Sequence, residues 1–346
     1  MVPNPAALTV NMLLKPIQHL LDDPSIDEVT INQPGEIWAK QFSDWKRHEI
    51  AELTLIHIES LITAVCAYNA VREASNLSLT MPNGERAQIT KFPAIIEGQI
   101  SFNIRKHGST IFTLEELHGQ GAFDHWIDKS IHQLNEAEIK AKQLVNDLSR
   151  LDETEAMLLN LKRERQILPF LQQCVLNHKN VVIAGKTGSG KTTFARALIK
   201  TVPSDERIIT IEDVHELFLP DHPNHVHLMF GSAKGRISAD EALASCMRLS
   251  PDRIFLAELR GNEAWEYLNS LNTGHAGSIT TVHANNAIHT FERVATLIKK
   301  SDVGRLIDLE TIKLTLYTTI DVILFFHKRQ LIEVYYDPIQ AKKSLF

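Results

Sequence analysis

The stretch that decides the fold runs Val181-Val182-Ile183-Ala184-Gly185-Lys186-Thr187-Gly188-Ser189-Gly190-Lys191-Thr192. Apolar residues of strand type lead into a glycine-rich loop, and apolar residues at helical spacing follow it. The glycines permit backbone conformations that other residues avoid, so successive amides can converge on phosphate oxygens. A helix starting at this loop points its positive end at the same anion. The stretch therefore predicts a phosphate-binding loop between a strand and a helix.

The residues of this loop have distinct expected roles. Lys191 would reach the β- and γ-phosphates of a bound nucleotide, and the Thr192 hydroxyl would coordinate Mg²⁺. The expected ligands are therefore a nucleotide and Mg²⁺, although the loop alone does not separate a kinase, a GTPase and a motor. The other nucleotide contacts of the loop and the following helix are assigned to Gly185, Thr187, Gly188, Ser189, Gly190 and Thr193.

Two more predicted strands end in carboxylates. One is Arg253–Glu258 and the other is Ile208–Asp213. Ligands of a parallel sheet bind beyond the carboxyl ends of its strands, so Glu212 and Glu258 are expected to face the γ-phosphate. One would position Mg²⁺ through water and the other would orient or deprotonate the attacking water. The alternatives are a solvated strand end for Glu258 and a capping or surface ion-pair role for Glu212.

A predicted strand near residue 280 is bracketed by two histidines, His275 and His283. A histidine at such a position can donate a hydrogen bond to a phosphate oxygen or sense its presence. Metal binding by this pair is not favoured, because no third ligand lies at a metal-site spacing.

The pattern along the chain predicts three segments. Residues 1–124 alternate short helical and strand patterns and predict a small α+β domain. Within it, strands at 29–32 and 36–39 flank a Pro-Gly turn, and an antiparallel meander follows residue 77. Residues 166–346 alternate apolar strands with helices, which indicates a doubly wound α/β domain around the P-loop.

Residues 125–165 contain no glycine or proline and predict a long helical linker or insert. Their apolar residues step by three and four, which indicates one stripe on a helix packed against a core. A helical hairpin or an inter-subunit arm is the alternative, and Asp152-Glu-Thr-Glu would end one helix and open another. The stripe consists of Leu134, Ala137, Ala141, Leu144, Leu148 and Leu151.

Composition limits the function classes. The chain has 36 basic and 42 acidic residues and a net charge of −6, which does not favour nucleic-acid wrapping. Three widely separated cysteines build neither a disulfide framework nor a CxxC metal site. No apolar run reaches membrane-spanning length, so we expect a soluble protein with at most a peripheral membrane role.

The order of motifs resembles the secretion-superfamily ATPases. The P-loop is followed by Thr210-Ile-Glu212-Asp213-x-x-Glu216, then by Glu258-x-Arg260, then by Gly274-His-x-Gly277-x5-His283. In that family, the last three motifs are called the Asp box, Walker B and the His box. The resemblance implies a RecA-like C-terminal domain with Glu212 as catalytic carboxylate and Glu258 as the Walker B acid.

The N-terminal half narrows the resemblance. The segments 28–38, Met81-Pro-Asn-Gly-Glu-Arg86 and Phe102-Asn-Ile-Arg105-Lys106 look like the traffic ATPases of type IV secretion and conjugation systems. In that family, arginines matching Arg86 and Arg105 approach the nucleotide. Arg260 is a further candidate nucleotide contact, and His275 with His283 would form the His box.

The resemblance also implies an assembly and a location. We expect a homohexameric ring at the cytoplasmic face of the bacterial inner membrane, peripherally attached. Its expected partners are other type IV secretion ATPases and inner-membrane channel components, with indirect or transient contact to DNA. The function implied is ATP hydrolysis that powers pilus biogenesis or substrate translocation.

Two departures and several alternatives accompany this interpretation. Ala257 stands where many relatives have glycine, and residues 125–165 exceed a minimal interdomain linker. A pilus-retraction or type II secretion ATPase is the nearest alternative, although the four-cysteine zinc insert typical of type II assembly ATPases is missing from this sequence. A nucleotide-gated docking platform and a small-molecule P-loop kinase are the alternatives from other classes.

Overall fold

The structure, a computed structural model, describes residues 5–41, 44–106, 111–231 and 236–344. Contacts divide these residues into two compact units. The first comprises the described residues of Met1–Thr110 and Gly231–Arg236, together with Val214–Glu216. The second comprises Ile111–Asp213, Leu217–Phe230 and the described residues of Ile237–Phe346.

The first unit is built on a six-stranded antiparallel sheet. Its elements are α1 (Pro5–Leu14), α2 (Gln18–Asp22), β1 (Ile26–Ile31), β2 (Glu36–Gln41), β3 (Asp44–Glu49), α3 (Leu55–Tyr68), β4 (Asn76–Thr80), β5 (Arg86–Lys91) and β6 (Ile100–Arg105), with a 3₁₀ turn at Lys15–Ile17. The strands lie in the order β3-β2-β1-β6-β5-β4. Alternate strand residues enter the core, as period-two patterning requires.

The strand predictions for the first unit are confirmed. β1 and β2 pair around the Pro-Gly turn, and β4, β5 and β6 form the expected antiparallel meander. The edge strand β3 was not predicted, because its residues are polar and mostly exposed and offer no apolar alternation. Helices α1 and α3 pack together beside this sheet.

The second unit is built on an eight-stranded sheet in the order β10-β9-β11-β12-β8-β13-β14-β7. Its strands are β7 (Ile127–Asp128), β8 (Val181–Gly185), β9 (Ile208–Glu212), β10 (His225–Met229), β11 (Arg253–Leu259), β12 (Ile279–Val282), β13 (Val322–His327) and β14 (Gln330–Tyr336). Its helices are α4 (Leu114–Gly119), α5 (Glu136–Leu144), α6 (Glu153–Arg163), α7 (Ile167–Leu176), α8 (Lys191–Ile199), α9 (Ala239–Cys246), α10 (Glu263–Asn272), α11 (Ala287–Lys300), α12 (Leu309–Thr319) and α13 (Pro338–Lys343), with a 3₁₀ turn at Gly304–Leu306.

Hydrophobic cores lie on both faces of this sheet. Ile183 and Phe255 belong to one core, whereas their strand neighbours Val182 and Leu256 belong to the other. The six strands β10, β9, β11, β12, β8 and β13 run parallel, whereas β14 and the short strand β7 run in the opposite direction. The doubly wound α/β prediction for this part of the chain is therefore confirmed.

The segment 125–165 differs from the expected single stripe. Helix α5 ends at Leu144, and α6 starts only after Asp152, whose side chain and Glu155 form a capping box. The non-helical residues between them break the helical period. Leu144 and Leu148 are consequently exposed, and Ile139 is buried in their place.

A buried lysine ties this segment to the large sheet. The Lys162 ammonium of α6 donates to Ser130 Oγ at 2.5 Å and to the Tyr336 carbonyl at 2.8 Å, and it pairs with Asp128. Burial lowers the pKa of Lys162, against the opposing charge of Asp128. Residues 111–165 thus pack into the core of the second unit, which starts earlier than the predicted boundary.

Two further expectations concern thiols and membranes. Cys66, Cys174 and Cys246 are free and buried, as a thiol used for packing should be. Among the described residues, no helix combines the length and the apolar character that crossing a membrane requires.

The amino ends of three strands are joined by one buried amide. Asn180 Oδ1 accepts from the backbone amides of Gly277 and Ser278 at 2.9 and 3.1 Å. Its Nδ2 donates to the Thr319 carbonyl at 2.8 Å. Asn180 precedes β8, so these bonds connect the starts of β8, β12 and β13 and fix the strands that carry the P-loop.

Replacing Asn180 with alanine should lower the free energy of unfolding by about 3 kcal/mol, because three buried hydrogen bonds disappear at about 1 kcal/mol each. Urea unfolding followed by circular dichroism measures the change. The exposed Asn146 provides the matched control, and Asn146→Ala should leave the midpoint unchanged. Equal midpoints for the two variants would contradict this role.

Candidate active site

The P-loop joins β8 to α8 through a left-handed backbone. Gly188 and Gly190 have φ values of 75° and 95°, and Gly190 is the N-cap of α8 without a side-chain capping bond. Only glycine adopts this conformation without strain. No side chain of the N-cap residue therefore covers the backbone amides in the first turn of α8, and these amides are the groups that bind an anion at a helix N-terminus.

The loop is too tight for side chains at its start. A Cβ on Gly185 would lie 2.5 Å from both the Phe326 carbonyl oxygen and Ser189 Oγ. Ser189 Oγ is itself buried and has no hydrogen-bond partner among the described residues. A buried hydroxyl without a partner fits a loop that is completed by phosphate oxygens.

Lys191 folds over the same loop. Its ammonium donates to the carbonyls of Gly185 and Lys186 at 2.9 and 3.0 Å, and the residue is 8% exposed. Thr192 follows in the first turn of α8 and is half-buried. The residues present therefore fit a nucleotide phosphate at the loop.

The carboxyl ends of four neighbouring strands meet at one edge. In the register of these strands, four residues lie side by side across the sheet, namely Ile211, Leu256, Thr280 and Val182. Glu212, Glu258, His283 and Gly185 all lie just beyond this row. The structure thus brings the two predicted acids and the second histidine to the P-loop edge of the sheet.

Three of these strand ends are linked by ion pairs. Glu258 accepts from His283 Nε2 at 3.0 Å and from Arg260 at 2.7 Å. Arg260 also pairs with Asp213, the residue after β9. We call Asp213, Arg260, Glu258 and His283 the charged chain. It runs across β9, β11 and β12.

The charged chain keeps Glu258 ionised. Burial disfavours the carboxylate, but hydrogen bonds from His283 and Arg260 and the charge of Arg260 outweigh it and lower the pKa of Glu258 to about 2. A carboxylate with this pKa is negative at any physiological pH. It has the charge and the hard oxygen ligands that Mg²⁺ prefers.

Removing the cation of the charged chain should impair hydrolysis. Arg260→Ala leaves Asp213 and Glu258 without the guanidinium between them, and kcat for ATP should fall about tenfold, or about 1.4 kcal/mol. Arg260→Lys keeps the charge and should recover part of the rate. Phosphate release measures both.

Arg305 supplies the control for this prediction, since it is an exposed arginine paired with Asp302 on a 3₁₀ turn. Arg305→Ala should keep the full rate. An Arg260→Ala variant as active as Arg305→Ala would remove Arg260 from the site.

Glu212 lies in a different environment. It is fully buried, and its Oε1 accepts from Thr210 Oγ1 at 2.6 Å while its Oε2 accepts from the Leu217 amide at 2.7 Å. His227 Nδ1 of β10 lies 3.2 Å from Oε1. The structure places this carboxylate at the end of β9 as expected, and its catalytic role stays a prediction.

His275 lies away from the P-loop edge, and its catalytic role stays a prediction. It precedes β12, and its Nδ1 lies 3.2 Å from the carbonyl of Pro251 before β11, at the amino ends of the strands. The length of β12 separates it from His283. The neighbouring Gly277 has a packing role, because a Cβ there would lie 2.9 Å from the buried Arg253 guanidinium.

Arg86 and Arg105 lie in the first unit, directly opposite each other on β5 and β6. Two cations at one cross-strand pair repel each other, which costs stability unless an anion or another partner is present. Their approach to a nucleotide stays a prediction.

A cavity of 580 Å³ flanks the outer side of the P-loop. Lys186 and Thr187 form one wall, and His283, His289 and Arg293 line the other. His289 and Arg293 are four residues apart on α11 and therefore share one helix face. Basic groups on both walls favour an anion in this cavity.

Comparison with known proteins decides the family. A family model described as "Type II/IV secretion system protein" matches residues 135–330, more than half of the chain. The type IV secretion system protein VirB11 of Brucella suis biovar 1 (strain 1330) is 40% identical over 365 residues, covering 99% of this chain and 95% of that protein. The chain belongs to the VirB11 family of type IV secretion ATPases.

Other relatives agree with this membership. Protein VirB11 of Agrobacterium tumefaciens (strain 15955) is 34% identical over 92% of this VirB11-family chain and 89% of its own length. The crystal structure of the VirB11 ATPase from the Brucella suis type IV secretion system, in complex with sulphate, matches with a TM-score of 0.54 and 39% identity over 98% of both chains.

A more distant structure shares the fold alone. The pilus retraction motor PilT with bound ADP matches with a TM-score of 0.59 at 17% identity, covering 96% of this chain and 87% of that chain. Together with the VirB11 structure, it confirms the RecA-like fold. The assignment as an ATPase rests on the VirB11 relatives. Nucleotide binding follows from membership of the VirB11 family.

Sequence reasoning missed several residues of this VirB11-family site. Thr210 carried a signal, because it stands two residues before Glu212 and shares its strand face. Arg293 also carried one, at i+4 from His289 on the helix after the His box. His227 was missed because β10 was not predicted as a strand, although its polar and apolar residues alternate over four positions.

Proposed function

We propose that this type IV secretion ATPase is a hexameric motor that hydrolyses ATP with Mg²⁺ to power pilus biogenesis, substrate translocation or both. The observation that carries the proposal is the meeting of the P-loop with the charged chain at one edge of the sheet. A phosphate-binding loop, an ionised carboxylate and a histidine donor are the parts that phosphoryl transfer to water needs.

Each residue of the site has a proposed role. Lys191 binds the β- and γ-phosphates, Thr192 and Glu258 hold Mg²⁺, and Glu212 orients or deprotonates the attacking water. His283 donates to the γ-phosphate region. The remaining contacts to the nucleotide come from the loop and from Arg260, that is Gly185, Thr187, Gly188, Ser189, Gly190 and Thr193.

Bound Mg²⁺ would neutralise charge on the β- and γ-phosphates. The residues of this chain bind the phosphates and position the carboxylates. The αL glycines aim backbone amides at the phosphates, and Arg260 holds Glu258 and Asp213 in fixed positions. Arg86 and Arg105 are proposed to approach the nucleotide from the first unit, of the same or a neighbouring subunit.

The assembly and its location belong to the proposal as well. The proposed homohexamer is peripheral at the cytoplasmic face of the bacterial inner membrane. Other type IV secretion ATPases and inner-membrane channel components are its proposed partners, and DNA contact is indirect or transient. The net charge of −6 supports partners other than a nucleic-acid backbone.

A combined measurement of turnover and mass tests the motor proposal. The purified chain should release phosphate from ATP only with Mg²⁺, and native mass spectrometry with a slowly hydrolysed ATP analogue should give a six-subunit species. A host lacking its own copy should recover substrate transfer with this chain and not with Lys191→Ala. Turnover without recovery would favour the retraction-motor alternative.

The docking-platform alternative makes the opposite prediction. Its nucleotide-bound state would recruit partners without hydrolysis, so Glu212→Gln would restore transfer as well as the unaltered chain. The charged chain argues against it, because ionised Glu258 beside the loop serves Mg²⁺-assisted hydrolysis rather than binding alone.

A further inference from the structure

The Glu212 carboxylate is held by a neighbouring strand as well as by its own. Thr210 and Glu212 alternate on β9, so both side chains point to the same face of the sheet. In the parallel pairing of β9 with β10, Thr210 and His227 are direct register partners. His227 therefore reaches Thr210 and Glu212 from the edge strand.

With Glu212 ionised, as the proposed function requires, these contacts assign the protons. Glu212 as a carboxylate only accepts, so the single proton of Thr210 Oγ1 goes to Glu212 Oε1 at 2.6 Å. Thr210 Oγ1 is then an acceptor towards His227 Nδ1, which lies 2.7 Å away. Nδ1 must hence bear a proton, and it also faces Glu212 Oε1 at 3.2 Å.

This arrangement fixes one oxygen of Glu212 through side chains and the other through the backbone. Oε2 accepts from the Leu217 amide at 2.7 Å, and the residue has no solvent exposure. A buried carboxylate without donors is costly, and its rotamer is set by whichever donors are present. Thr210 and His227 can be removed as donors by substitution, whereas the Leu217 amide cannot.

We propose that Thr210 and His227 are positioning residues of the ATPase reaction, which hold Glu212 at the angle from which it acts on the attacking water. The proposal rests on the proposed function of Glu212 as catalytic carboxylate. His227 does not touch the nucleotide in this scheme. Its Nδ1–H orients the Thr210 hydroxyl, and the Thr210 hydroxyl orients the Glu212 carboxylate. In the same way, a third residue orients the general base of a catalytic triad through a hydrogen bond.

Paired substitutions separate the hydrogen bonds from the packing. Thr210→Val removes the hydroxyl at nearly constant volume, and Thr210→Ser keeps it. His227→Leu removes the ring nitrogen, and His227→Asn keeps an N–H near the Nδ1 position. The half-buried His48 lies on the edge strand β3 of the first unit's sheet, and His48→Leu is the control.

The expected result is a loss in kcat rather than in KM. Thr210→Val and His227→Leu should lower kcat by about 10- to 100-fold and leave KM for ATP within about twofold. Thr210→Ser and His227→Asn should recover most of the rate, and His48→Leu should match the unaltered chain. Thermal unfolding of every variant checks that the fold is intact.

A second measurement uses the Glu212→Gln background. If His227 acts through Glu212, then His227→Leu should not lower the residual rate of Glu212→Gln any further. An additive loss there would overturn the proposal, as would full kcat in a folded Thr210→Val or equal loss in Thr210→Val and Thr210→Ser. A Glu212→Gln variant with unaltered turnover would instead overturn the proposed function itself.

Discussion

Lys191→Ala should abolish ATP hydrolysis, with turnover reduced by at least about 100-fold, because the loop loses the cation that meets the β- and γ-phosphates. The ammonium is buried against the carbonyls of Gly185 and Lys186, which fixes its position in the loop. Phosphate release measures the rate, and a fluorescent nucleotide measures binding, which should weaken as well.

Lys200 is the control for this result. It is the exposed residue at the end of α8, and Lys200→Ala removes the same charge from the same helix. Its turnover and nucleotide affinity should equal those of the unaltered chain. A Lys191→Ala variant that kept its rate would refute the P-loop assignment altogether.

Glu212→Gln should lower kcat by about 100- to 1000-fold while nucleotide affinity stays the same, because the amide keeps the shape and loses the basic oxygen. Glutamine can still accept from the Leu217 amide through its carbonyl, so the fold should persist. The variant should trap bound ATP, which single-turnover measurements detect directly.

Glu310→Gln provides the comparison for Glu212→Gln. Glu310 is exposed on α12 and forms a surface ion pair with Lys313 at 2.8 Å, an interaction that contributes little to stability. Normal turnover is expected for it. If Glu212→Gln hydrolyses ATP at that same rate, the attacking water is activated elsewhere.

The parts that sequence predicted well are those fixed by local chemistry. The P-loop follows from glycines with positive φ, and β8, β9, β11, β12 and β13 follow from short apolar runs buried on both faces. Glu212 and Glu258 could be placed at one edge because parallel strands align their carboxyl ends. Those arguments need no knowledge of distant contacts.

The errors arose where a periodic pattern had two explanations. Leu144 and Leu148 fit a helical stripe, yet α5 ends at Leu144 and the next helix begins only after Asp152, so the stripe is not continuous. The alternative, in which Asp152-Glu-Thr-Glu opens a second helix, agrees with the capping box of α6. The spacing of His275 and His283 along the chain did not show that β12 separates the two histidines in space.

What sequence could not supply was the partner of each polar group. The bond from Thr210 to Glu212 is local, but His227 comes from β10, a short strand of half-buried residues that was not predicted. Likewise, Arg260 joins Asp213 to Glu258 across neighbouring strands. Such pairings depend on strand order, and strand order is a property of the whole sheet.

The short strand β7 has a practical consequence for dissecting the chain. Together with Ala122 and Lys129, which bond to Leu331 and Val334, it covers the outer edge of β14. A fragment starting at residue 166 would expose that edge as a row of unpaired amides and carbonyls, a template for self-association. We expect it to aggregate during size-exclusion chromatography, whereas a fragment starting at residue 111 should elute as a discrete species.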